Sequence, residues 1–292
     1  SLQVPETVFS GMQPVATRIS AGRVAGMLKK LPRPRHKGDA GRLLVVGGAL
    51  GMGGAVCLAG EAALRVGAGL VSVATRADHA AYLNAGCLEL MVNGIESGAD
   101  LSALLQRATA VVIGPGLGLE SWGRDLLSRV LETELPLVVD ADGLNLLSEQ
   151  PTTAANWILT PHPGEAARLL GKSTREVQRD RLGAVRRIQE RYGGVCILKG
   201  AGTLIAAANG SLSICNRGNP GMASAGMGDL LAGVIGSLLA QGLALGEAAK
   251  CGTWLHSAAA ELAAADGERG MIARDLFPAL RRLVDSPAAA DE

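Results

Sequence analysis

Asp229 closes the run Asn219-Pro220-Gly221-Met222-Ala223-Ser224-Ala225-Gly226-Met227-Gly228 and precedes a long apolar stretch. A turn of small residues entering a helix leaves backbone N–H groups free to hold an anion, and glycine lets a phosphate approach them closely. A carboxylate beside that anion cannot be there to bind it, because the two repel. Its chemical use is to deprotonate or orient a hydroxyl that attacks phosphorus. The amides of Gly226, Met227 and Gly228 would then stabilise charge on the transferred phosphoryl oxygens. An aspartate at a helix start is also a favoured N-cap, but a cap does not require glycines at Gly226 and Gly228, which lose backbone entropy on folding. The constellation predicts phosphoryl transfer.

The elements that must carry this site are legible as short apolar runs at residues 43–46, 70–74, 110–113, 137–140, 157–160 and 195–198. Nearly every position in them is apolar, so they read as strands of a mostly parallel α/β sheet covered on both faces, where polar alternation is lost. A hairpin is predicted over 203–207 and 212–214 across Asn209-Gly210. Helices are predicted over 55–66, 164–170, 177–191, 245–265 and 274–284, with another starting at 230. Ligands in such sheets collect beyond the C-terminal strand ends. There the chain places Gly47-Gly48, Gly114-Pro115-Gly116-Leu117-Gly118, Asp140-Ala141-Asp142, Thr160-Pro161-His162-Pro163-Gly164-Glu165 and Lys199-Gly200-Ala201-Gly202-Thr203. Thr75-Arg76 stands where a nicotinamide dehydrogenase carries an acidic residue, and no glycine loop ends in Gly-Lys-Ser or Gly-Lys-Thr. A dinucleotide-dependent dehydrogenase and a Walker-type NTPase are both disfavoured.

Composition bounds the remaining classes. The chain has 292 residues, 48% hydrophobic, with 40 glycines, which suits a compact α/β protein. A single domain is predicted over 23–285, behind an irregular leader or linker at 1–22 and ahead of a tail at 286–292. The formal charge is +1 and the aromatics are only Trp 3, Tyr 2 and Phe 2, so neither a basic field nor stacking platforms suit nucleic acid. The basic stretch 29–37 reads as a solvated linker. Cys57, Cys87, Cys196, Cys215 and Cys251 are scattered without the spacing of a zinc site, which predicts free thiols in a reducing compartment. Residues 230–245 are interrupted by Gln241 and thinned by Gly233, Gly236 and Gly242, short of the ~20 apolar residues of a membrane span. A cytoplasmic enzyme follows, with neither nucleic acid nor membrane as partner.

Several motifs together resemble the ADP-dependent NAD(P)H-hydrate dehydratase family. They are Lys37-Gly38-Asp39-Ala40-Gly41-Arg42, Gly60-Glu61-Ala62-Ala63-Leu64-Arg65 with Gly67-Ala68-Gly69, the Gly114 to Gly118 loop, Asp140-Ala141-Asp142-Gly143-Leu144-Asn145, His162-Pro163-Gly164-Glu165, Lys199 to Thr203, and Gly226 to Asp229. The resemblance covers about residues 23–285. It implies a ribokinase-like three-layer α/β/α sandwich. It also implies repair of hydrated nicotinamide cofactor: the S form of NAD(P)H hydrate returns to NADH or NADPH while ADP, the co-substrate, becomes AMP and phosphate. In many bacteria this domain is fused behind an NAD(P)H-hydrate epimerase; a solitary domain and a piece of a fused chain both fit. A homotetramer is implied as well.

The resemblance also assigns roles. Asp229 takes the proton of the C6 hydroxyl, and Lys199, Gly200, Ala201, Gly202 and Thr203, with Gly228, hold the ADP phosphates. Ala55, Gly116, Gly118, Asp142, Asn145 and His162 line the hydrate pocket. His162 stands three positions before Glu165, where sugar kinases of the superfamily carry asparagine. Glu165 is expected either to order Mg2+ through water or to cap the following helix. An alternative within the fold is a small-molecule kinase acting on a hydroxymethylpyrimidine or thiazole alcohol, against which His162-Pro163-Gly164-Glu165 argues.

Overall fold

The apolar runs assemble into one ten-stranded sheet in the computed structural model, which describes residues 12, 14–28, 36 and 38–290. Its strands are β1 (Thr17–Arg18), β2 (Arg42–Val46), β3 (Leu70–Thr75), β4 (Met91–Gly94), β5 (Ala110–Ile113), β6 (Leu137–Val139), β7 (Trp157–Leu159), β8 (Val195–Leu198), β9 (Thr203–Ala206) and β10 (Leu212–Cys215). The order is β1-β10-β9-β8-β7-β6-β5-β2-β3-β4, antiparallel only where β9 meets β8 and β10. Twelve helices are described: α1 (Ala21–Met27), α2 (Gly53–Arg65), α3 (Ala77–Leu83), α4 (Ser102–Leu105), α5 (Ser121–Leu131), α6 (Ala141–Glu149), α7 (Pro163–Leu170), α8 (Thr174–Arg179), α9 (Arg181–Tyr192), α10 (Met227–Ala240), α11 (Leu245–Ala263) and α12 (Phe277–Asp285).

Both sheet faces are covered, which is why the strands lack polar alternation. Leu43 and Val45 of β2 join one core with Val56 of α2, Leu230 of α10 and Leu255 of α11. Leu44 and Val46 join the other with Leu126 of α5, Leu144 of α6 and Ile188 of α9. Small residues bring α10 against α2: a Cβ on Gly233 would lie 2.0 Å from the Ala59 carbonyl oxygen, and Ser237 Oγ donates to the Ala63 carbonyl at 2.9 Å. No helix among the described residues is long and apolar enough to cross a membrane.

Three expectations change in detail, and β4 with helices α1, α3, α4, α5 and α6 falls outside every predicted element. Of the leader predicted as irregular over 1–22, residues 1–11 and 13 lie outside the described residues; the rest contains β1, which pairs Thr17 with Ser213 and Arg18 with Ile214, and the start of α1. Two residues on a sheet edge carry no periodic signal. The helix predicted over 177–191 is two helices, broken where Asp180 turns out of helical geometry and accepts the Gly183 N–H at 2.8 Å. β4 passed unread because Met91-Val92-Asn93-Gly94 is half solvated and contains residues that strands disfavour. Within the tail predicted at 286–292, Pro287–Ala290 forms a short 3₁₀ turn with Pro287 and Ala289 buried, and residues 291–292 lie outside the described residues. Of the basic stretch 29–37, all but His36 lie outside the described residues.

Candidate active site

The polar strand ends converge along the C-terminal edge of the parallel strands. Gly226, at φ 85°, turns the chain into α10, and a Cβ there would strike Leu58 Cδ1 at 2.4 Å. Asp229 sits in the first turn of that helix. Burial, then the negative charges of Asp140 and Asp142, push its carboxyl up to about 6, with the Lys199 ammonium pulling the other way. A carboxylate near that value is a competent base at neutral pH.

Lys199 directly follows β8 and points across the site. Its Nζ donates to Asp140 Oδ1 at 2.8 Å and lies 3.8 Å from Glu165 Oε2. A Cβ built on Gly228 would be 3.3 Å from that ammonium and 3.6 Å from Asp140 Oδ2. The lysine charge therefore borders the glycine turn before α10. Burial alone would lower its pKa, but Asp140 and Glu165 outweigh it and hold the ammonium charged. Asp140 is 1% exposed and also accepts from Thr160 Oγ1 at 2.7 Å. Register explains that bond: β6 pairs with β7 through Val139 and Leu159, so the next residues lie side by side.

His162 is the N-cap of α7. Its Nδ1 accepts from the Gly164 and Glu165 N–H groups at 2.9 and 3.4 Å, while Glu165 Oε2 accepts the His162 N–H at 2.7 Å. With Nδ1 accepting, the neutral ring carries its proton on Nε2, 3.3 Å from Glu165 Oε1. Burial, then Lys199 and Arg168, hold the imidazole below its ordinary pKa. Burial raises Glu165 to about 7 against the pull of Lys199. Both oxygens of Glu165 are thus turned toward protein donors. Among the described residues no group of three His, Cys, Asp or Glu could hold a metal ion, and the Lys199 ammonium fills the space between Asp140 and Glu165. These side chains form no ion cage.

Several of the residues expected to line the hydrate pocket lie against one another. Asp142 accepts the Gly118 N–H at 2.9 Å and an Asn145 Nδ2 hydrogen bond at 3.3 Å. A Cβ on Gly116 would be 3.3 Å from that of Ala55. The loop Gly200-Ala201-Gly202 is closed by Thr203 Oγ1 donating to the Gly200 carbonyl at 3.0 Å, so that hydroxyl is engaged within its own loop. Sequence reading missed Asp140, Thr160, Arg168 and Arg181 as site residues. Arg168 donates to Asn145 Oδ1 at 2.9 Å, and Arg181 donates to the Ala201 carbonyl from α9. Only Asp140 and Thr160 carried a signal, as polar residues at apolar strand ends. A separate cavity of about 980 Å³ opens between Glu61, Arg65, Arg274 and Arg281, and none of the predicted site residues lines it.

A family model described as NAD(P)H-hydrate dehydratase matches residues 43–282. The chain belongs to the NAD(P)H-hydrate dehydratase family. Its architecture is ribokinase-like, as the motifs implied. A bifunctional NAD(P)H-hydrate repair enzyme of Coxiella burnetii is 56% identical over 260 residues, 89% of this chain and 53% of that protein. The chain spans about half the length of such bifunctional relatives. An ADP-dependent (S)-NAD(P)H-hydrate dehydratase of Neisseria meningitidis serogroup B is 42% identical, covering 90% of this chain and 92% of its own. Among solved structures, an ADP/ATP-dependent NAD(P)H-hydrate dehydratase from Bacillus subtilis, co-crystallised with ATP and Mg2+, superposes with TM-score 0.84 at 28% identity, covering 92% of this chain and 97% of that one.

Proposed function

We propose that this dehydratase-family chain converts the S form of NAD(P)H hydrate to NADH or NADPH, with ADP becoming AMP and phosphate. The observation that carries this reading is Asp229, with a pKa of about 6, at the mouth of a glycine turn bordered by the Lys199 ammonium. Asp229 takes the proton of the C6 hydroxyl as its oxygen bonds to the terminal phosphorus of ADP, and the bond from that phosphorus to AMP breaks. The Gly226, Met227 and Gly228 amides and Lys199 offset charge on the transferred group. The ring nitrogen then pushes electrons as the C6–O bond breaks, phosphate departs, and loss of the C5 proton restores the double bond. Phosphate leaves near neutral pH where hydroxide would not.

Lys199 to Thr203 would hold the ADP phosphates, and Ala55, Gly116, Gly118, Asp142, Asn145 and His162 the hydrate. Magnesium would travel with the nucleotide phosphates and meet Glu165 through water at most. Five free cysteines suit a reducing cytoplasm. Homotetramer assembly and an epimerase on the same or a separate chain are the partnerships we propose. Incubation with S-form NADH hydrate, ADP and Mg2+ should yield reduced cofactor and AMP in equal amounts. A stable phosphorylated product, or no turnover with either ADP or ATP, would favour the small-molecule kinase instead.

A further inference from the structure

The carbonyl oxygen of Gly48, in the turn that follows β2, is held from two sides by buried donors. Thr75 Oγ1 donates to it at 2.8 Å from the end of β3, and His79 Nδ1 lies 3.1 Å from it on α3. A carbonyl oxygen only accepts, so the imidazole carries its proton on Nδ1. Thr75 is wholly buried and His79 is 3% exposed. Two glycines clear the room these donors need. At Gly48, with φ 70°, a Cβ would come within 2.6 Å of Thr75 Oγ1, and at Gly53 within 3.2 Å of His79 Nδ1.

The pinned segment is tied to the proposed hydrate pocket. The Gly48 N–H donates to the Pro115 carbonyl at 3.0 Å and the Ala49 N–H to the Gly116 carbonyl at 2.6 Å. Gly116 in turn packs on Ala55, and Gly118 is held by Asp142. A shift of the Gly48 peptide would therefore move the loop after β5 and the start of α2 together. We propose that Thr75 and His79 are positioning residues for the hydrate, fixing the pocket wall through the Gly48 carbonyl while leaving the ADP half of the site untouched. The proposal rests on the pocket assignment made above.

The test compares Thr75→Val, His79→Ala and His79→Asn with wild type, measuring kinetics toward hydrate and ADP separately and ADP affinity by calorimetry. Asparagine can present an N–H where Nδ1 does; alanine cannot. The alanine and valine variants should lose about tenfold to a hundredfold in kcat/KM for hydrate, the scale of a misplaced binding group. ADP affinity should hold in all three, and His79→Asn should recover most of the loss. Should His79→Ala fail to fold, the isosteric Thr75→Val decides. Unchanged hydrate kinetics in folded variants, parallel losses toward ADP and hydrate, or no recovery with asparagine would each overturn the proposal. Ala55→Leu separates the two readings. If it raises the hydrate KM while Thr75→Val and His79→Ala are silent, only the positioning role fails; if it too is silent, the pocket assignment falls and the positioning role with it.

Discussion

Asp229 is costly to bury as a charge, and that cost is the source of its basicity. Its folded pKa of about 6 lies above the ordinary carboxylate value, so it binds a proton more tightly folded than unfolded. As a base it must be ionised, and kcat/KM for hydrate should fall as pH drops through about 6. Asp229→Asn should cost about 10² to 10⁴ in turnover and keep ADP affinity. The sign of the stability effect is opposite to that on activity. A raised carboxylate favours the fold most at low pH and loses that contribution as pH rises through its folded value. In thermal unfolding, Asp229→Asn should therefore exceed wild type at pH 8, with the gap narrowing below pH 6. A wild type more stable than the variant at pH 8 would contradict the assigned burial.

At the scale of elements, the turn after β6 holds the clearest strain. Ala141 has φ 46°, the left-handed region, and is the one non-glycine described with positive φ. That turn is what aims Asp140 at Lys199 and Asp142 at Gly118 from the two sides of Ala141. Ala141→Gly should stabilise the fold by about 1 kcal/mol, the cost of left-handed geometry for an L residue, yet lower kcat as both carboxylates loosen. Chemical denaturation and steady-state kinetics on one preparation would test the trade. Gly233→Ala should do the reverse, destabilising by about 1–3 kcal/mol through overpacking of α10 on α2. The central strands and most of the long helices were legible because their apolar runs state burial directly. What escaped were helices α1, α3, α4, α5 and α6, and features fixed by neighbours: edge strands β1 and β4, the break at Asp180, and the partners Arg168 and Arg181, whose targets are distant in sequence. Asp229, Lys199, His162 and Glu165 stood out as polar groups at apolar boundaries, but the direction of Lys199 toward Asp140 needed the sheet order.

Over the whole molecule, the site draws on the ends of β2, β5, β6, β7 and β8 and on the start of α10, so it exists only when most of the sheet is formed. One buried group links global stability to pH from outside that set. His256 on α11 is 5% exposed and its Nε2 has no hydrogen-bond partner among the described residues. Burial, then Lys199, push its pKa to about 4, against an ordinary 6.5. The unfolded chain thus binds a proton there between those values, and the fold loses stability as pH falls from 6.5 toward 4. His256→Gln should remove about 2 kcal/mol of the acid loss between pH 8 and pH 5, read from denaturation midpoints at both pH values. Glu165 and Asp229 titrate with the opposite sign, so the wild-type profile should be flatter than that of the variant.

The most direct test of phosphorylation before elimination is the fate of one oxygen. S-form NADH hydrate carrying ¹⁸O in the C6 hydroxyl would be turned over with ADP, and the released phosphate and water analysed by mass spectrometry. The label should appear in inorganic phosphate, because that oxygen bonds to phosphorus before the C6–O bond breaks; label in water, with unlabelled phosphate, would contradict the mechanism.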